Sequence, residues 1–173
     1  MRIEQFAAVA AIVLLGMLLG SGTYESVVLV PNFGTNLPSS LEHLRLFMSV
    51  TNPGIFFRIV STATQLALLC AFALSWRAPG RRSWYVAAFV LAAAGDVITS
   101  MYHYPRNALL FGAPLTHPAS ELATTVREWG RGNVVRIALV GTAMLLTIRA
   151  FWVSAREQAA AEQPIAPDAA KGR

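Results

Sequence analysis

Four long apolar stretches divide the chain, running roughly from Phe6 to Val30, Ile55 to Trp76, Trp84 to Tyr102 and Val134 to Val153. A helix rises about 1.5 Å per residue and needs about 20 apolar residues to cross a hydrocarbon core, so each stretch can span a bilayer. Inside lipid a segment must satisfy its own backbone polar groups, and a helix does so locally. The pattern therefore predicts an all-α fold, an integral membrane antiparallel four-helix bundle occupying residues 1–156. The first stretch ends in Gly20-Ser21-Gly22 in the manner of a signal peptide. Glu4 and Gln5 interrupt a basic leader, however, and apolar character continues to Val30, so it is read as a retained first helix.

The connections carry their own signals. Arg77-Ala78-Pro79-Gly80-Arg81-Arg82 is a tight turn that makes the second and third spans a hairpin. Residues 31–54 contain Ser39-Ser40-Leu41-Glu42, a capping-box pattern ahead of Leu41, Leu44, Phe47 and Met48 on one helical face. This predicts a short amphipathic helix on the outer interface, with an ordinary loop as the alternative. Pro118 is placed to open a helix through Leu122, Val126 and Trp129 that runs into the fourth span despite Gly130 and Gly132. Residues 157–173 turn to Ala, Glu, Gln, Pro, Asp and Lys without an apolar stripe and read as a disordered cytoplasmic tail.

Composition agrees: 55% of the 173 residues are hydrophobic and 13% charged, with a mean hydropathy of +0.50. The net charge of +5 could suggest nucleic acid, but the basic residues flank the spans, which argues against that class of partner. Arg2, the cluster Arg77, Arg81 and Arg82, and the pair Arg149 and Arg156 fall on one side if the helices alternate. The expected placement is the bacterial inner membrane with both termini cytoplasmic. Cys70, the single cysteine, excludes an internal disulfide and is expected as a small core residue.

Chemistry concentrates at one level of the spans. Arg58, Thr62 and Gln65 follow i, i+4, i+7 on the second, and Asp96, Thr99 and His103 follow i, i+3, i+7 on the third. Asn107 would extend that face only if the helix outlasted Pro105, where a break is expected. Trp129, Asn133 and Arg136 repeat the pattern on the fourth span, and Tyr24 and Glu25 close the first. Charges in a membrane face inward and pair, so two acids and two arginines at one depth predict a polar chamber near the outer face. The alternative is that Glu25 with Arg136, or Asp96 with Arg58, are structural ion pairs that hold register, but the concentration of polar groups at one level favours a site.

Gly22-Thr23-Tyr24-Glu25 leading to Pro31, Pro105-Arg106-Asn107, and Trp129-Gly130-Arg131-Gly132-Asn133-Val134-Val135-Arg136 resemble the pattern of the anthrone oxygenase-like family of small four-helix membrane proteins. The likeness covers most of residues 5–152, with W-x3-N-x2-R and P-x-N its most specific motifs. It implies a membrane oxidoreductase, a monooxygenase that oxidises a lipophilic, polycyclic aromatic molecule with dioxygen as co-substrate and no obligatory organic cofactor. His103 would be the base, because imidazole titrates near working pH, with Asp96 as its orienting partner and Glu25 as an alternative base. Arg136 and Arg58 would hold an enolate or phenolate oxygen, with Gln65, Asn107 and Asn133 as polar contacts. Trp129, Tyr24 and Tyr102 could stack on the substrate or belong to an interfacial belt. Glu25, Asp96 and His103 are also ligand types of a non-haem metal, but no helix carries two of them at ligand spacing, so a metal stays open without being indicated. A small-molecule transporter and a non-catalytic lipid- or ligand-binding subunit are the competing classes, and the two arginines disfavour cationic cargo.

Overall fold

A computed structural model of the protein describes residues 2–112 and 115–162. These form four helices long and apolar enough to cross a membrane, α1 (Ile3–Phe33), α3 (Pro53–Leu74), α4 (Pro79–Phe111) and α5 (Ala119–Glu162). A short α2 (Ser39–Phe47) lies between the first two. The long helices make a square in which α1 neighbours α3 and α5, and α4 neighbours the same two from the opposite corner. Alanines let the helices approach closely, as small residues do where lipid supplies no hydrophobic drive. Ala11, Ala88, Ala92 and Ala143 interleave with Leu15, Leu18, Val60, Leu68 and Val140 at the centre, and Ala8, Ala71 and Ala150 pack around Tyr85 below. A second core of Phe33, Leu41, Leu110, Leu122, Val126 and Trp129 closes the other end.

Two long helices change pitch at the same level. Glu25–Leu29 in α1 and Thr99–His103 in α4 are π-helical turns, in which the amide of Val30 donates to the Glu25 carbonyl and that of Tyr104 to the Thr99 carbonyl. A proline stands two residues beyond the end of each turn, Pro31 after Leu29 and Pro105 after His103. Proline has no N–H and its ring crowds the carbonyl four residues earlier, so the wider turn accommodates a residue that would otherwise break the helix. The break expected at Pro105 is thereby corrected: Tyr104–Phe111 continues α4.

Other expectations need adjustment. The capping box of α2 does not form, since Pro38 precedes its first turn and the Ser40 hydroxyl donates to the Phe33 carbonyl at 2.8 Å. α2 packs on the upper core through Leu41 and Leu44, whereas Phe47 is 84% exposed and leaves the face expected of it. Cys70 is exposed on the outside of the bundle, not in the core. α5 starts after Pro118 as anticipated but runs through Glu162, so residues 157–162 are helix where a disordered tail was expected. Residues 163–173 of that tail lie outside the described residues.

A buried ion cluster, unforeseen in the sequence, ties the lower end. Arg81 Nε lies 3.1 Å from Glu4 Oε1, a second nitrogen of Arg81 pairs with Glu157, and the Tyr85 hydroxyl donates to Glu4 at 3.5 Å. This joins the start of α1, the start of α4 and the end of α5, which sets α5 antiparallel to the other two.

Candidate functional site

Between the alanine-rich centre and the upper core the helices part around a cavity of about 660 Å³. That is the range of small-molecule sites. Glu25, Arg58, Asp96, His103, Asn107, Trp129 and Arg136 all line it, so seven of the residues singled out by spacing meet in one place. Leu18, Phe57, Ala92, Ile137 and Val140 supply an apolar wall.

The charges divide into committed and uncommitted groups. Arg136 donates from Nη2 to Glu25 Oε2 at 2.7 Å, and its guanidinium lies 4.5 Å from the centre of the Phe57 ring. The Glu25–Arg136 pair anticipated from depth is therefore present. Asp96 does not pair with Arg58. It accepts a hydrogen bond from the Ser61 hydroxyl at 2.5 Å and one from Gln65 Nε2 at 3.0 Å. Among the described residues Arg58 donates only to the Gly54 carbonyl one turn back, at 3.4 Å.

His103 is 1% exposed and stands in the π turn of α4. Its ring meets Trp129 and Tyr102 edge to face, with centroids 5.0 and 5.6 Å away. Both ring nitrogens are buried and neither has a hydrogen-bond partner among the described residues. Asp96 shares the cavity wall but is not bonded to His103, so the pair does not form the oriented dyad expected of it. Trp129 Nε1 donates to Asn107 Oδ1 at 2.7 Å, which ties α5 to the segment beyond Pro105.

Gly132 is the reason α5 comes so close. A Cβ there would collide with the Tyr102 ring and stand 3.3 Å from His103 Cε1, so a side chain at this position would displace the π turn. A clamp fixes the same contact from outside: Arg106 binds Glu128 through Nε and Nη2 at 3.1 and 2.9 Å, and its guanidinium lies 3.5 Å over the Tyr102 ring. The Tyr102 hydroxyl in turn donates to the Glu128 carbonyl.

Three of the expected site residues are elsewhere. Gln65 does not line the cavity and acts on it through Asp96. Asn133 is fully buried beside it, donating to the Gly22 carbonyl at 3.0 Å and the Ser26 hydroxyl at 2.8 Å, a link between α5 and the π turn of α1. Tyr24 is 55% exposed and turns away from the cavity. Sequence reasoning in turn missed Ser61, Phe57 and Arg45 as lining residues. Arg45 follows Leu41 by one turn, a spacing that could have placed it on the inward face of α2. Glu25, Asp96 and His103 share the cavity but are not grouped as a ligand set: among the described residues no three His, Cys, Asp or Glu side chains are placed to hold a metal ion.

These features define a polytopic helical membrane protein with a ligand-sized polar chamber in one half of its bundle. The chain belongs to the anthrone oxygenase family, whose model matches residues 47–161, from the end of α2 almost to the end of α5. Glu25 and Arg45 lie ahead of the matched region, whereas Arg58, Asp96, His103, Asn107, Trp129 and Arg136 lie within it. No curated protein and no solved structure matches the chain.

Proposed function

We propose that the protein is a membrane oxidoreductase of the anthrone oxygenase type, which oxidises a lipophilic, polycyclic aromatic substrate with dioxygen inside the chamber. The observation that carries the proposal is His103, a buried imidazole that lines the same cavity as the Arg136 cation and whose nitrogens make no hydrogen bond of good geometry among the described residues. Such a nitrogen can take the proton of an acidic ring methylene. Arg136 and Asn107 would stabilise the enolate oxygen produced, and Trp129 and Phe57 would flank the flat rings.

The electron-rich carbanion would then add dioxygen and, once protonated, give a hydroperoxide at the former methylene. Loss of the remaining proton on that carbon, with cleavage of the O–O bond, yields the ketone and one water. The methylene carbon gives up four electrons and the two oxygen atoms take two each, one leaving as water and the other kept as the ketone oxygen. No organic cofactor is needed for this balance. In the bacterial inner membrane with both termini cytoplasmic, as the basic flanks suggest, the chamber would lie toward the outer face.

The test is oxygen uptake and quinone formation by the purified full chain with a simple anthrone, with metal content measured on the same sample. Wild type should exceed the spontaneous rate, and His103→Ala should lose about 100-fold or more while remaining folded. Arg136→Ala should lose activity as well. Metal content that tracks activity would indicate a metal-dependent route. Uptake no faster than the spontaneous rate, or full activity in His103→Ala, would overturn the proposal.

A further inference from the structure

We infer that the substrate is an amphipathic acid, its anionic group held at the rim of the chamber by Arg45 and Arg58. The inference rests on the chamber being the substrate site. Three guanidiniums line it, and Arg136 alone has an acidic partner there. Asp96, the other lining carboxylate, is occupied by Ser61 and Gln65. Among the described residues no carboxylate lies within 4.0 Å of Arg45 or Arg58.

The two arginines reach the cavity from different elements. Arg45 sits on α2, which Leu41, fully buried, anchors to the upper core, and Arg58 lies in the second turn of α3. Two cations facing one space repel, and an anion between them relieves the repulsion. Guanidinium forks match the two oxygens of a carboxylate and bind it more strongly than they bind a neutral group. The wall behind them is apolar, so the ligand chemistry is an anion on an apolar body. A membrane offers two sources of that chemistry, a free lipophilic acid and a phospholipid headgroup. A cavity of about 660 Å³ suits one drug-sized molecule and not a lipid with two acyl chains, which favours the free acid.

The experiment uses the full chain in nanodiscs of zwitterionic phosphatidylcholine, with tryptophan fluorescence followed while anthraquinone-2-carboxylate or its neutral carboxamide is added. The quinones are already oxidised, so binding is read without turnover. Wild type should prefer the carboxylate by about tenfold or more, as expected of a charge-assisted contact. Arg45→Gln and Arg58→Gln should each reduce that preference, with circular dichroism and thermal unfolding of each variant in the disc showing that it is folded. Equal affinity in wild type, or a preference that survives both substitutions, would overturn the inference. So would phosphatidylglycerol in the disc abolishing the preference while the substitutions release bound phosphatidylglycerol, because the headgroup would then be the ligand. Failure of oxygen uptake with intact carboxylate preference would sink the proposed oxidation and leave this inference standing.

Discussion

Removing the charge of Glu25 tests how much of the chamber is scaffold. In Glu25→Gln the amide oxygen can still accept from Arg136, but the guanidinium loses its counter-ion in a site where the two side chains are 9% and 11% exposed. Breaking a buried pair from one side typically destabilises by about 3–5 kcal/mol. Two features reduce that figure here. The Phe57 face 4.5 Å from the guanidinium offers a cation–π contact worth about 0.5–2 kcal/mol. The pair also borders a cavity that admits water. We expect a net loss of about 2–3 kcal/mol for Glu25→Gln and a similar loss for Arg136→Gln, starting from the one-sided penalty and these offsets. The double variant leaves no unpaired charge, so its loss should fall short of the sum of the singles by about 1 kcal/mol or more. Denaturant-dependent unfolding in detergent on the four proteins measures the cycle. Strictly additive losses would show that Glu25 and Arg136 do not stabilise each other, and the pairing would cease to explain why two charges are kept inside a membrane.

Gly132→Val should destabilise by about 1–3 kcal/mol through overpacking on Tyr102 and His103, and in the oxygen-uptake assay it should lower kcat more than any equally destabilising substitution in the alanine-rich core. At the lower end, Glu4→Gln should reduce stability by about 3 kcal/mol because Glu4 and Arg81 are both buried. Glu157→Gln, or truncation after Arg156, should change stability by less than about 1 kcal/mol, since that side chain is 51% exposed. Thermal unfolding of the three proteins side by side checks the order, and a truncation that loses folded protein would refute it. Tyr24→Ala should leave KM for an anthrone unchanged, whereas Trp129→Ala should raise it, because Trp129 alone of the two faces the cavity. A Tyr24→Ala variant with raised KM would contradict the placement.

Much of the candidate site was legible because lipid enforces simple rules. Polar side chains at i, i+3, i+4 and i+7 on an apolar helix must turn inward, and this brought Glu25, Arg58, Asp96, His103, Trp129 and Arg136 to one cavity. The pairing of those groups was not legible. Asp96 and Arg58 matched in depth and charge, yet Ser61 and Gln65, on the same helix as Arg58, are the groups that reach the carboxylate. Depth along a helix axis is a one-dimensional quantity, and which neighbour is met depends on the rotation of both helices.

Helix pitch was the other hidden variable. Thr99, His103, Asn107 and Phe111 recur every fourth residue and all line the cavity. On a straight helix of 3.6 residues per turn, each step of four would drift about 40° off the face. The π turn at Thr99–His103 takes up part of that drift and carries the chain past Pro105. Nothing in the local pattern distinguishes a proline that ends a helix from one that follows a wide turn.

Taken by itself, the amino-acid sequence determined the four spans, the hairpin at residues 77–82, the inward level of the polar groups and the family motifs. Each depends on local pattern set against a uniform solvent, the bilayer. The tertiary structure alone decided which charge is paired, that neither His103 nitrogen has a hydrogen-bond partner among the described residues, that Tyr24 points outward and that Arg45 lines the cavity. Those outcomes depend on the relative rotation of packed helices, which side-chain volumes such as the bare Gly132 surface set together.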